Sequence, residues 1–299
     1  MRRTQYYLNE IARNTDFFYT TTDEELKQLK QTFLGMYKDV QAVCKKYGLV
    51  AMVGEGTALG AVRHKGFIPW DDDFDMIMPR KDYEKFIEVF EKELGKDYIL
   101  SVPGKKEQSK TLFLNVIKKG TVMVCADDLN RPDANGVRID IYPIDYFPNN
   151  KVLRYLKSYL LDAIRICAIS VSIYKTKNKL FRKAFQFTVK DKIYYSIRWT
   201  IGLICSIFGQ KIWYNMHNKL AYSVKPTKYC SVPTCEMSLK EMQFSDTMYP
   251  SQKGTFEGLE VYLPNNPDAY LTTLYGDYMT LPPVDQRERH FYVELKLNV

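Results

Sequence analysis

The sequence predicts an α+β protein. A small mixed β-sheet with flanking helices comes first, then a basic helical insertion, then a C-terminal segment that returns to the core. Three observations carry this. Residues 22–48 place apolar side chains at three- and four-residue spacing behind an acidic start; four β-like runs lie between 98 and 144; and residues 151–222 show no strand signal, alternating apolar groups with Lys and Arg.

Thr22, Asp23, Glu24 and Glu25 make a helix start, with acids in the turn where the dipole favours them. Leu26, Leu29, Phe33, Met36, Val40 and Val43 form one apolar stripe, and Gly48 ends the helix. Leu49 to Val53 reads as a short buried strand, Gly54-Glu55-Gly56-Thr57 as a turn, and Ala58 to Arg63 as a short helix with His64-Lys65-Gly66 as its basic end. Phe67 to Trp70 leads into Asp71-Asp72-Asp73-Phe74-Asp75, and Met76 to Met78 continues as strand. Pro79 opens a helix from Lys81 to Leu94, since proline is tolerated in a first turn. Tyr98–Val102, Thr111–Lys118, Thr121–Ala126 and Val137–Ile144 read as strands, with Lys119-Gly120 as a hairpin turn between the second and third. Further on, a strand is expected at Gly258–Leu263, a helix at Asn266–Tyr275, and loops at Gly276 and Pro282-Pro283. The expected organisation is a core at 22–148, a basic insertion at 151–228 and a C-terminal segment at 229–299.

With 45% hydrophobic and 26% charged residues in 299, the composition excludes a disordered chain, a collagen and a coiled coil. Six cysteines are too sparse for a disulfide framework, and Cys230 and Cys235 read as half-buried thiols rather than zinc ligands. Met1 to Glu10 has charges but no apolar core, so no signal peptide is expected. The longest uncharged apolar run, Trp199–Gln210, falls short of the ~20 residues that span a bilayer. A cytoplasmic chain, peripheral on the inner face of the plasma membrane, is the expectation.

Charge is unevenly spread. Between Lys151 and Lys228, sixteen Lys and Arg face only Asp162 and Asp191, a local balance of +14 within a net +8. A basic, apolar, helical stretch of this kind suits an anionic membrane surface, or else is ordinary helical packing with solvated lysines. Nucleic acid is not an expected partner: there is no zinc-finger, RNP-type or helix-turn-helix signal, and the aspartate cluster would repel a phosphate backbone.

The chemistry concentrates between Gly54 and Asp75. Residues two apart on a strand share a face, so Asp71, Asp73 and Asp75 project one way and Asp72 and Phe74 the other. A solvated acidic turn is the common fate of such a run, but here apolar residues flank it on both sides. Three like charges on one face call for a divalent cation, and all-oxygen ligands favour Mg²⁺ or Mn²⁺. Gly56-Thr57 lies at a helix start, where backbone N–H groups hold phosphate. A glycine turn, a short helix and an Asp-x-Asp strand together match the nucleotidyltransferase pattern, which also expects a third carboxylate on a neighbouring strand. Asp140, in the apolar run Val137–Ile141, supplies it, unless it is simply paired with Arg138. Asp145 is a weaker candidate, because Pro143 is expected to have broken that strand.

The run Gly60-Ala61-Val62-Arg63-His64-Lys65-Gly66-Phe67-Ile68-Pro69-Trp70-Asp71-Asp72-Asp73-Phe74-Asp75 resembles the signature of the LicD family. Ile139-Asp140-Ile141-Tyr142-Pro143-Ile144-Asp145 resembles its second block. Tyr270-Leu271, Tyr275-Gly276-Asp277-Tyr278-Met279 and Leu281-Pro282-Pro283, closing with Arg287 and His290, resemble its C-terminal block. The resemblance covers residues 30–148 and 230–292; the basic stretch between them matches no pattern. It implies a metal-dependent transferase that moves a phosphorylated alcohol, phosphocholine foremost, from a CDP-activated donor such as CDP-choline. The acceptor would be a hydroxyl of a surface glycan or of its polyprenyl-diphosphate-linked precursor, and CMP would leave. Fukutin-type relatives use CDP-ribitol, so the donor varies between subfamilies.

In that reading Asp73 and Asp75 hold Mg²⁺ on the donor diphosphate, and Asp140 completes the metal site or takes the proton of the attacking hydroxyl. Asp71 is a further ligand or the base. Gly56 and Thr57 donate to the phosphates, while Arg63, His64 and Lys65 neutralise the leaving CMP or else simply end a helix. Trp70 stacks on the base or a choline ammonium, or packs into the core. Arg287 and His290 reach a donor or acceptor phosphate, or else His290 is simply a surface residue. The competing expectation is a nucleotidyltransferase that adds NMP to a small alcohol, sugar or antibiotic and releases diphosphate.

Overall fold

The computed structural model describes residues 18–19, 21–105, 111–125, 135–184, 188–234, 237–284, 287 and 290–297. Cys235 lies outside them; its neighbour Cys230 is fully buried, with its thiol pushed up to about 12 by that burial. In chain order the elements are α1 (Asp23–Tyr47), β1 (Met52–Val53), α2 (Glu55–Arg63), β2 (Asp75–Pro79), α3 (Arg80–Leu94), β3 (Tyr98–Ser101), β4 (Leu114–Lys118), β5 (Val122–Cys125) and β6 (Arg138–Phe147). Then come α4 (Lys151–Thr176), α5 (Lys179–Ala184), α6 (Val189–Cys205), a 3₁₀ turn (Ser206–Phe208) and α7 (Gln210–Ala221). The chain ends with β7 (Tyr229–Ser231), β8 (Gln243–Phe244), α8 (Ser245–Met248), β9 (Gln252–Phe256), β10 (Leu259–Leu263), α9 (Pro267–Tyr275) and β11 (Tyr292–Lys296). This is the expected α+β class.

α1 carries its own ends. Thr22 accepts the Glu25 N–H while Glu25 accepts from the Thr22 N–H, and Gly48 closes the helix at φ 64°, in the left-handed region. Leu29, Phe33, Met36, Val40 and Val43 of the expected stripe are buried, and Leu26, in the first turn, is only half-buried. β1 is shorter than expected because residues 50 and 51 bond to side chains instead of a strand: Asp82 accepts the Val50 N–H at 2.9 Å, and Gln41 donates to the Ala51 carbonyl at 2.9 Å.

The main sheet runs β1-β2-β6-β4-β3, with β7 and β8 continuing from the far end of β6. β2 and β6 are parallel, with Asp75 opposite Asp140. The expected hairpin of β4 and β5 does not form. β4 is already paired on both edges, by β3 and by β6, so β5 turns away and pairs with β11. Thr121 holds that turn, accepting the Val137 N–H at 2.9 Å and donating to the Lys118 carbonyl at 2.8 Å.

Pro143 does not break β6, which runs on to Phe147. β4 pairs with β6 as far as Ile141 and β7 begins at Asp145, so that edge has no ladder partner at residues 142–144. A residue without an N–H fits there without losing a bond. Asp145 is therefore a strand residue, and it is fully buried against Arg80: Nε lies 2.9 Å from Oδ1 and Nη2 2.5 Å from Oδ2. Arg80 also donates to Asn218 of α7 at 2.8 Å, and the Ser223 N–H donates to Asp145 at 3.0 Å. This buried pair ties the helices to the sheet.

The helices from α4 to α7 leave the end of β6 and the chain returns as β7, whose Tyr229 is the register partner of Phe147. α6 packs closely on α4 through Gly202, where a β-carbon would lie 2.1 Å from the Ser170 carbonyl oxygen. No described helix is long and apolar enough to cross a membrane.

Candidate active site

The end of β1, the start of α2, the start of β2 and the start of β6 meet at one edge of the sheet. α2 begins at Glu55, three residues before the expected Ala58, because its first i to i−4 bond runs from the Ala58 N–H to the Gly54 carbonyl. The expected turn is thus the first turn of the helix. Thr57 is buried, and its hydroxyl accepts the Asp75 N–H at 2.8 Å, bracing the first residue of β2. Gly56 lies against Asp71, where an added β-carbon would sit 3.3 Å from Oδ2.

Residues 71–74 lie outside the ladder, which begins at Asp75. The alternation still holds. Phe74 is fully buried among Phe33, Tyr37, Phe67 and Phe256, with ring centroids 5.4–6.4 Å away. That aromatic anchor turns its neighbours Asp73 and Asp75 the other way. Asp75 and Asp140 are register partners across β2 and β6, and Asn115 of β4 is the partner of Asp140 on its other side. A polar row therefore crosses three strands. Asn115 donates to Asp140 at 2.5 Å, Tyr142 donates to Asp75 at 3.2 Å, and Arg138 stands 3.8 Å from Asp140. The side chains of Asp73 and Asp140 are 35% and 20% exposed, within reach of a solute, while Asp75 is buried.

The electrostatics are those of crowded acids. Burial pushes Asp140 up to about 6, with Arg138 and Asn115 pulling the other way. Burial, then the charges of Asp73, Asp140 and Glu55, hold Asp75 well above the usual carboxylate range. Asp71 is raised by burial and by Asp73 and Asp72; Asp73 is raised by burial against the pull of His290. Asp71 and Asp73 share a side-chain hydrogen bond. A cluster of oxygen donors with surplus negative charge is a donor set that suits a hard divalent cation. As they stand, no three acidic, His or Cys side chains among the described residues converge as a cage for an ion.

The basic residues are dispersed around this centre. Arg63 donates to the Tyr278 carbonyl at 2.5 Å and feels the charge of Asp71. His64, the helix cap, meets the edge of Trp70, and Lys65 is exposed at φ 61°. Trp70 is half-buried, with the Arg287 guanidinium 4.0 Å from its ring centroid. His290 donates its backbone N–H to both oxygens of Asp72 at 3.1 Å, and its Nδ1 lies 2.9 Å from Asp72 Oδ1 and 3.9 Å from Asp73 Oδ2. Burial pulls this imidazole down, but Asp72 and Asp73 outweigh it and hold His290 up at about 10, as a cation.

Sequence reasoning passed over several groups here. Glu55, first residue of α2, stands at φ 43°; its N–H donates to the Tyr270 hydroxyl at 3.1 Å, and its charge reaches Asp75. Asp72 is the anchor for the C-terminal segment. Lys30 donates to the carbonyls of Ile68 and Pro69 at 3.2 and 3.1 Å, steadying the approach to the aspartates. Asn115 was findable, as a polar residue inside an apolar strand.

With this geometry in hand, the similarities of the chain fall into place. Residues 48–159 match a family model described as LicD/FKTN/FKRP, nucleotidyltransferase domain. The match holds Asp71, Asp73, Asp75 and Asp140, and leaves Arg287 and His290 outside. The chain is 27% identical over 290 residues to the lipopolysaccharide cholinephosphotransferase LicD of Haemophilus influenzae, covering 90% of this chain and 97% of that protein. It is 30% identical over 137 residues to mannosyltransferase regulator 4 of Saccharomyces cerevisiae, 46% of this chain and 11% of that protein. An uncharacterised protein of Rickettsia prowazekii is 35% identical over 71 residues, 22% of this chain and 27% of its own length.

Proposed function

We infer, for a chain that carries the LicD/FKTN/FKRP nucleotidyltransferase domain, a transferase that moves phosphocholine from CDP-choline to a hydroxyl of a cell-surface glycan or its lipid-linked precursor. The observation that carries this reading is the acidic row at the sheet edge, Asp75 opposite Asp140 with Asp71 and Asp73 beside them, inside a chain similar over nearly its whole length to a cholinephosphotransferase.

In the reaction proposed, the glycan hydroxyl oxygen attacks the choline-bearing phosphorus. The bond from that phosphorus to the bridging oxygen breaks, and CMP leaves with the bridging oxygen. The hydroxyl proton passes to a carboxylate, and Asp71, raised by burial and lying against Gly56, is the group we assign. Asp73, Asp75 and Asp140 would hold Mg²⁺ or Mn²⁺, which supplies charge neutralisation for the diphosphate. The start of α2 offers backbone N–H groups of Gly56 and Thr57 to a phosphate. Arg63, with Lys65, supplies positive charge beside the aspartates for the leaving group, while His64, its imidazole held down by burial and by Arg63, accepts from the Arg63 Nε and adds no charge. Arg287 and His290 bring two cations from the C-terminal segment. Trp70, already stacked by Arg287, extends a flat surface for the cytosine ring. Alignment and charge compensation carry most of phosphoryl transfer, so this reading asks no covalent chemistry of the protein.

The test is a product assay with Mg²⁺. Purified chain, CDP-choline and a glycan acceptor should give CMP and a choline phosphodiester, with loss on chelation and recovery on adding Mg²⁺. Because the matching domain is described as a nucleotidyltransferase, CTP or ATP with a small alcohol or sugar is the control. Diphosphate from that control, with no CMP from CDP-choline, would replace this reading by NMP transfer.

A further inference from the structure

The helices beyond β6 carry a surface that this chemistry does not use. On α6, Ile193, Ile197 and Ile204 fall within about 40° of one another on a wheel of 3.6 residues per turn, and all three are exposed. The 3₁₀ turn adds Ile207, 80% exposed, and Phe208, and α7 adds Ile212. Lys190, Lys192 and Lys211 stand exposed along the same stretch. The two acids of residues 151–228 are both buried. Asp191 is bonded to Thr188 at the start of α6, and Asp162 accepts the Ser238 N–H at 3.2 Å. Every charge that this segment turns to solvent is therefore positive.

We propose that this face docks on an anionic bilayer surface, with the isoleucines and Phe208 seated at headgroup depth and the lysines on lipid phosphates. Charge complementarity selects this occupant. A second copy of the chain would bring two all-cationic rims together, at a repulsive cost. An anionic headgroup layer over an acyl boundary answers both halves of the pattern, the positive rim and the apolar stripe. The segment lies on the surface and does not span, since no described helix is long and apolar enough to cross. This inference does not depend on the donor assigned above.

The experiment is flotation of the full chain with vesicles of phosphatidylcholine alone and of phosphatidylcholine mixed with phosphatidylglycerol, at moderate salt. The expected result is retention on the mixed vesicles only. A variant with Ile204→Ser, Ile207→Ser and Phe208→Ser should partition about tenfold less or worse, and one with Lys190→Glu, Lys192→Glu and Lys211→Glu should do the same. All six side chains are exposed, so melting temperatures should stay near wild type; if the serine variant melts early, the glutamate variant decides. Absence of wild-type chain from the floated mixed vesicles overturns the proposal. So does binding that neither variant weakens, or a dimer in light scattering that the serine variant dissolves while wild type does not float.

Discussion

His290 is fastened to Asp72, whose carboxylate receives its backbone N–H on both oxygens and its Nδ1 on one. The contact joins residues far apart in the chain, and the Tyr292 hydroxyl adds a bond to the Asp72 carbonyl at 3.1 Å. Asp72 thus differs from its neighbours on the acidic run: it holds the C-terminal segment that brings the His290 cation to within 3.9 Å of Asp73. Asp72→Ala should lower stability by about 2 kcal/mol, the range for hydrogen bonds to a charged group. It should also weaken β11 pairing. Hydrogen exchange of residues 292–296 beside that of β3 checks this: a uniform change in both would count against a local latch.

With Asp73 in the role proposed above, Asp73→Asn should cut phosphocholine transfer by about 100-fold or more, since it would remove a metal ligand and a charge together. The same change removes one of several crowded acids, so the melting temperature without metal should rise. Turnover and thermal melting on one preparation test both. Near-normal turnover would take Asp73 out of the site.

The buried Arg80–Asp145 pair should be costly to halve. Asp145→Ala leaves a guanidinium in the interior without its bidentate partner, at an expected cost of about 3–5 kcal/mol. The double change Arg80→Met, Asp145→Leu should recover most of that, because no buried charge remains. Urea midpoints of the single and double variants, with m-values, decide it.

His217 of α7 sets an acid limit on stability. Burial, then the charges of Arg165 and Arg80, hold its imidazole down at about 3, against an ordinary 6.5. In the unfolded chain it takes up a proton as pH falls through 6.5, while the folded chain resists. The unfolded state then binds more protons, so this contribution is whole above pH 6.5 and is lost on going down towards 3, at up to about 1.4 kcal/mol per pH unit. His217→Gln should flatten that part of the stability curve. Equal slopes for variant and wild type between pH 6 and 4, roughly the window this shift defines, would contradict it.

What the sequence made legible was local. The ends of α1 follow from Thr22, Glu25 and Gly48, and the two-residue alternation through Asp71–Asp75 survives even though the ladder starts only at Asp75. What escaped is set by distance along the chain. β5 finds β11 because β4 has no free edge, and Pro143 sits harmlessly where β6 changes partners; neither fact is written near the residues concerned. The acidic core of the site could be read because strand period and charge coincide there. Of its supports, Tyr270 and His290 are carried only by the family resemblance, while Lys30 and Asn115 come from two further stretches that only folding assembles.

The register of Phe147 with Tyr229 means that the intervening helices begin and end on adjacent threads of one sheet. Such an excursion is a cassette. Its attachment lies further along β6 than Asp140, and its inner face is pinned there by Asn218 on Arg80 and Ser223 on Asp145. Changes confined to the outer, solvent-facing side of the cassette therefore leave the acidic row of β2 and β6 as it stands.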